Sequence, residues 1–255
     1  MPPRGGPRGR ASDICWCESS ATARPTGPAR KVGSLDASER AAALDAVAAE
    51  AAGCVRCPLA DGRTAVVFGE GDPDAELALV GEAPGFHEDR EGLPFAGRSR
   101  ELLARLLAGI GLALDEVYLA TALKCRTAGS RDPSPEETAA CEPFLYRQLE
   151  LVQPRVVASL GSFATTLLSG RALGITRVHG EEQEVTLGGR CVTLVPLYHP
   201  AAALYTPTML EVLEQDVAHL GEILGRPHVE SSAPLPEPIV ITRPVSREPA
   251  QLGLF

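Results

Sequence analysis

The chain has 255 residues, 44% of them hydrophobic, with a formal net charge of -9. That supports one well-buried domain plus tails and excludes a protein that adheres to nucleic acid over its whole surface, so any DNA contact must come from a local basic patch. No run of about 18 apolar residues offers a membrane-spanning helix, and the start, MPPRGGPRGRASD, lacks an apolar segment of the signal-peptide kind. Seven cysteines, an odd number without a secretion signal, point to cytoplasmic thiols or a metal site rather than a disulfide framework.

Residues 1–33 are rich in Pro, Gly, Arg, Ser and Ala without apolar periodicity, and read as a disordered arm in which Cys15 and Cys17 are solvated thiols. Residues 36–52 form an alanine-rich helix with Leu44 and Val47 on one face and Gly53 as its stop, which delivers the chain to Cys54 and Cys57. Residues 66–68 (VVF) read as a short strand, residues 69–74 as a turn, and residues 77–80 (LALV) as a second strand.

That strand feeds residues 81–97, GEAPGFHEDREGLPFAG, a long strand-to-helix loop. Such loops lie at the carboxyl end of a parallel sheet, where α/β folds bind ligands. Its glycines and prolines fix an irregular backbone from which Glu82, Glu88, Asp89 and Phe95 project. By itself the loop reads equally well as a plain connection.

Leu102, Leu103, Leu106, Leu107 and Ile110 then recur at helical spacing. Residues 117–123 make a strand that runs into Lys124 and Cys125, and residues 126–133 a loop. Ser134, Pro135 and Glu137 supply the N-cap, first-turn proline and capping-box glutamate of a helix whose inward face carries Cys141, Phe144, Leu145 and Leu149. A strand at 156–160, a helix at 162–168 and a hairpin around Gly188 and Gly189 follow. The hairpin places Cys191 in an apolar strand, as a core residue, and leads into Tyr198, His199 and Pro200. A last helix spans 210–224, and residues 226–250 form a Pro-rich flexible tail. The alternation predicts an α/β fold with a parallel or mixed sheet covered on both faces.

Cys54 and Cys57 have C-x2-C spacing, whereas Cys125 and Cys141 sit at a strand end and on a helix face. Two pairs from distant parts of the chain suit an iron-sulfur cluster with four thiolate ligands; zinc remains the alternative, although compact zinc sites usually show two short knuckles.

The 81–97 stretch resembles the first motif of the family 4 uracil-DNA glycosylases, GE(G/A)PG followed by ED, G, PF and G. The likeness extends over about residues 45–222, with CRTAGSRDPSPEETAAC at Cys125 to Cys141 similar to the family's second cysteine pair and Tyr198-His199-Pro200-Ala201 similar to its HP(S/A) motif. The resemblance implies a three-layer α/β/α sandwich around a central, mostly parallel sheet, spanning residues 34–225. It also implies a monomeric enzyme that flips uracil out of DNA and hydrolyses its N-glycosidic bond. The ligand role for a [4Fe-4S] cluster carries over onto Cys54, Cys57, Cys125 and Cys141. Phe95 takes the position that stacks on uracil, His199 that of a donor to uracil O2, and Glu82 that of a water-orienting or cation-stabilising carboxylate.

Ala83 stands in the substrate-binding motif where some other uracil glycosylases carry an aspartate base. Thr121 replaces the family's asparagine four residues ahead of the third cysteine, whose amide reads the uracil edge. That exchange opens the alternative of a weakened or altered-specificity member that binds damaged or single-stranded DNA, or excises another deaminated base; an iron-sulfur redox protein is a second rival. Arg98, Arg100, Lys124, Arg126 and Arg131 form a candidate phosphate-contacting rim, and Tyr205 stands where many relatives have an arginine. The loop after Cys125 has no histidine of the kind that traps DNA covalently in one relative. The final residues, Gln251, Leu252, Gly253, Leu254 and Phe255, resemble the QLxLF peptide by which bacterial DNA-processing enzymes dock on the sliding clamp.

Overall fold

The computed structural model describes residues 35–172 and 174–227. The amino-terminal arm with Cys15 and Cys17, and the tail with its clamp-like Gln251, Leu252, Leu254 and Phe255, lie outside the described residues.

The first helix, α1 (Ala37–Ala52), starts at Asp36, whose carboxylate accepts from the Glu39 N–H while the Glu39 side chain accepts from the Asp36 N–H. This reciprocal bonding satisfies donors that a helix start leaves open. A short α2 (Leu59–Gly62), β1 (Gly69–Gly71) and β2 (Leu77–Gly81) follow, then α3 (Phe86–Glu91), α4 (Gly97–Gly109) and β3 (Tyr118–Thr121). The second half contains α5 (Pro135–Val152), β4 (Val156–Leu160), α6 (Ser162–Ser169), α7 (Ile175–Val178), β5 (Gln183–Leu187), β6 (Arg190–Leu197), α8 (Pro200–Ala203) and α9 (Pro207–Leu224). Ser134 caps α5 with Glu137 as its capping-box partner, as the sequence predicts.

The strands form one six-stranded mixed sheet in the order β1-β3-β2-β4-β6-β5. The inner four are parallel, and β1 and β5 pair antiparallel at the edges. Successive side chains of β2 point to opposite faces. Ala78 and Val80 join the core under α1, α5 and α6, while Leu77 and Leu79 join the one under α4 and α9. That is why LALV is an unbroken apolar run: both faces of the strand are covered. Each fully buried leucine contributes about 1.5–3 kcal/mol.

Four expectations change. Residues 66–68 are not a strand of the sheet, although the Val67 N–H donates to the Lys124 carbonyl (2.9 Å). The edge strand is instead Gly69–Gly71, in the stretch expected to turn. It lies so close to β3 that a Cβ on Gly71, at φ +119°, would sit 1.9 Å from the Val117 carbonyl oxygen. Glycine is needed there for pairing, and low strand propensity hides it. The 81–97 loop contains α3, and the last helix begins at Pro207 rather than 210. Cys191 is exposed, because alternation along β6 turns Val192 toward the core and Cys191 away from it.

Gly71→Ala forces a disfavoured φ together with a backbone clash. The expected cost is about 2 kcal/mol or more, lowering the thermal midpoint by about 5 °C or more in a domain of this size, measured by circular dichroism melting.

Candidate active site

Parallel β2, β3 and β6 end at one edge of the sheet, so Glu82, Thr121 and His199 arrive there from distant parts of the chain. Gly81 is paired with Thr121. Its missing side chain is what admits Phe95: a Cβ at residue 81 would lie 3.0 Å from Phe95 Cζ. Phe95 is buried and holds φ +54°, an uncommon conformation for a bulky residue that typically costs about 1 kcal/mol or more. Next to it the Ala96 N–H donates to Glu88 Oε1 (2.7 Å), and Arg100 donates to the Pro94 carbonyl (3.3 Å). These bonds hold the strained turn.

The Phe95 and His199 rings lie 5.9 Å apart at 31°. His199 is the N-cap of α8, and its Nδ1 accepts from the Ala201 N–H (3.1 Å). That bond needs a lone pair on Nδ1, which puts the neutral ring's proton on Nε2. Burial holds the imidazole below its usual pKa against the pull of Glu88, so the neutral form prevails near pH 7. Tyr198 packs on His179 at 4.8 Å, and His179 Nδ1 is 2.9 Å from Asp216 Oδ2, which anchors the residue before His199.

Burial pushes the Glu82 carboxyl above the usual carboxylate range, and Asp132 adds to the shift. Asp89 is 1% exposed, and its Oδ1 accepts from the Thr64 N–H (2.9 Å) while Oδ2 lies 3.6 Å from Arg126 Nε. Burial alone would raise its pKa, but the Thr64 and Ala65 hydrogen bonds and Arg126 outweigh it and hold the group ionised. Glu88 and Asp89 therefore fix the loop. Ala83 is half-buried against the core under α1 and α5. The Thr121 hydroxyl donates to the Leu123 carbonyl (2.7 Å), which leaves its oxygen only as an acceptor.

Cys54, Cys57, Cys125 and Cys141 line one small pocket that opens to solvent, with Arg56, Arg63 and Phe144 among its walls. Donors already face the sulfurs: Lys124 N–H to Cys141 Sγ at 3.1 Å, Arg56 Nε to Cys54 Sγ at 3.4 Å and Arg63 to Cys125 Sγ at 3.5 Å. Burial would raise the Cys54 thiol, yet Arg56 and Arg63 bring it below its usual value, while burial keeps Cys125 and Cys141 high. Among the described residues no three His, Cys, Asp or Glu side chains are placed to hold a single metal ion. The sulfurs surround a cavity instead. Arg56 and Arg63 were missed as cavity residues in the sequence, where only the position of Arg56 inside C-x2-C hinted at a role.

The expected rim is altered. Lys124 is not part of it: the side chain is 1% exposed and turns inward to donate to the Thr121 carbonyl (2.6 Å), and burial pulls its pKa down to about 7. Arg98 is exposed. Arg100 pairs with Glu70, Arg126 with Asp89, and Arg131 with both oxygens of Glu137 (2.6 and 2.8 Å).

Comparison with known proteins places these features. Residues 68–221 match the Uracil DNA glycosylase superfamily. A type-4 uracil-DNA glycosylase of Archaeoglobus fulgidus is 42% identical over 187 residues, covering 72% of this chain and 94% of the relative. Its counterpart from Sulfurisphaera tokodaii is 37% identical over 72% of this chain and 86% of its own. The Thermotoga maritima protein of the same name is 42% identical over 59% of this chain and 78% of its own. The chain belongs to the uracil-DNA glycosylase superfamily, among its type-4 members.

Proposed function

We propose that this protein removes uracil from DNA by hydrolysing the N-glycosidic bond, leaving an abasic site. The relatives are named for uracil excision, which favours turnover over the alternative of a weakened or altered-specificity lesion binder. The observation that carries the chemistry is His199, neutral, facing Phe95 and bound through Nδ1 to the Ala201 N–H.

A target base must leave the stack to be cut. Once flipped, uracil stacks on Phe95, and the Thr121 oxygen accepts from its N3–H. As the bond between C1′ and N1 breaks, its electron pair moves onto the base, and the His199 Nε2–H donates to uracil O2 where that charge collects. Glu82, ionised, orients the water whose oxygen bonds C1′ and steadies the cationic sugar, and the proton that the water sheds neutralises the departed uracil anion. Ala83 supplies no base, so departure of the base as an anion carries the barrier. Arg98 and the outer faces of Arg100, Arg126 and Arg131 contact phosphates.

The four cysteines fit a [4Fe-4S] cluster, with cationic and N–H partners that offset thiolate charge. When bound, it ties α1 and α2 to the end of β3 and to α5. We assign a structural role to it, a cytoplasmic monomer as the working form, and sliding-clamp docking to Gln251, Leu252, Leu254 and Phe255.

Three outcomes test this. In single-turnover excision from a labelled single-stranded oligonucleotide, His199→Ala is slower by about tenfold or more, a loss of about 1.4 kcal/mol in transition-state stabilisation. The rate falls as pH drops through the raised pKa of Glu82, because only the ionised carboxylate works. Asp132→Asn removes a negative charge that favours the protonated form, so the acid limb of the pH profile moves to lower pH. Anaerobically purified protein holds about four iron and four sulfide per chain; Cys54→Ala loses them, and Cys191→Ala keeps them.

A further inference from the structure

The outward side of α3 is not used by the pocket. Phe86, its first residue, is 55% exposed, although the same helix buries Asp89. Two guanidiniums lie over the ring: that of Arg90, one turn on, with Cζ 5.6 Å from the centroid, and that of Arg126, from beyond β3, at 5.7 Å. Both are within the reach of a cation–π attraction. The His87 ring meets Phe86 edge-on at 5.6 Å. Arg126 is fixed in turn by the buried Asp89 carboxylate.

These groups stand a few residues from the chemistry. Glu88, two positions after Phe86, bonds the Ala96 N–H beside Phe95 and acts electrostatically on His199. A six-residue helix therefore carries pocket-fixing acids on its inner side and, on its outer side, an aromatic ring flanked by its own Arg90 and by Arg126 from beyond β3. A π-face takes any nucleobase, and cations around it suit the phosphates on either side, the combination by which single strands are held without regard to sequence.

We propose that Phe86, flanked by Arg90 and Arg126, is a stacking platform for an unpaired base of the DNA strand next to the excised uracil. The inference deepens the function proposed above and rests on it. Phe95 holds the base that is cut; Phe86 holds a neighbour and sets the register of the strand over the pocket.

The test uses the full chain and a labelled single-stranded oligonucleotide with one central uracil, with excision followed across enzyme concentrations. Phe86→Ala raises the half-saturating concentration about tenfold, while the rate at saturation changes far less and the thermal midpoint stays at the natural value. Phe86→Trp restores the affinity. Arg90→Gln lowers the slope of log affinity against log salt by about 0.7. Natural affinity in Phe86→Ala, or a loss that Trp does not restore, overturns the platform. Binding to the same strand with thymine in place of uracil reads the platform separately, so a natural protein that binds through Phe86 but fails to excise uracil overturns only the proposed activity.

Discussion

The pairing of β2 with β3 continues past both strand ends, and the site depends on that continuation. The Ala122 N–H donates to the Gly81 carbonyl (2.8 Å) and the Leu123 N–H to the Glu82 carbonyl (2.9 Å). Leaving such a buried group unbonded costs about 1–3 kcal/mol, so the two segments are locked side by side where the sheet ends. One residue further, the Lys124 N–H turns to Cys141 Sγ, and its side chain folds back to the Thr121 carbonyl. One stretch of five residues thus closes the pocket on one side and the cysteine cavity on the other. Burial disfavours the charged form of Lys124, and its neighbour Cys141 acts the other way.

The layered fold was legible because its signals are local. LALV and VVASL are runs that only a doubly covered strand needs, and the Ser134 capping box marks its helix within four residues. What escaped the sequence depends on contacts between distant segments. Gly69 and Gly71 look like a turn until Val117 is seen against them. Lys124 looks like a rim residue because nothing local shows that a carbonyl three residues back will take its ammonium. Arg100 and Arg126 find Glu70 and Asp89, 30 and 37 positions away, so their pairing cannot be read from spacing.

The site residues divide the same way. Their identities came from motif resemblance, yet the geometry that makes them usable is tertiary. His199 is an ordinary loop histidine until the Ala201 N–H fixes its tautomer, and Phe95 is an ordinary core ring until Gly81 and Glu88 hold it in a strained turn. Glu88 and Asp89 show why a motif contains acids that do no chemistry. A carboxylate taken out of water is costly unless bonded, and the half-buried Glu88 and buried Asp89 spend their bonds on Ala96, Thr64 and Arg126, which makes the loop rigid rather than reactive.

Charge sets the remaining constraint. A chain at -9 repels DNA at long range, and the pairing of Arg100, Arg126 and Arg131 with carboxylates reduces what the rim can offer. Each phosphate contact adds about 0.9 to the salt slope on duplex and about 0.7 on single strands, so a rim whose arginines are paired with carboxylates gives modest electrostatic capture. Base flipping costs a few kcal/mol, least where the base is already unpaired. An enzyme with weak phosphate attraction and good aromatic surfaces gains most where stacking replaces electrostatics and the base is already free to leave its neighbours. The paired rim therefore shifts the proposed grip on DNA from phosphate contacts toward the aromatic rings of Phe95 and Phe86.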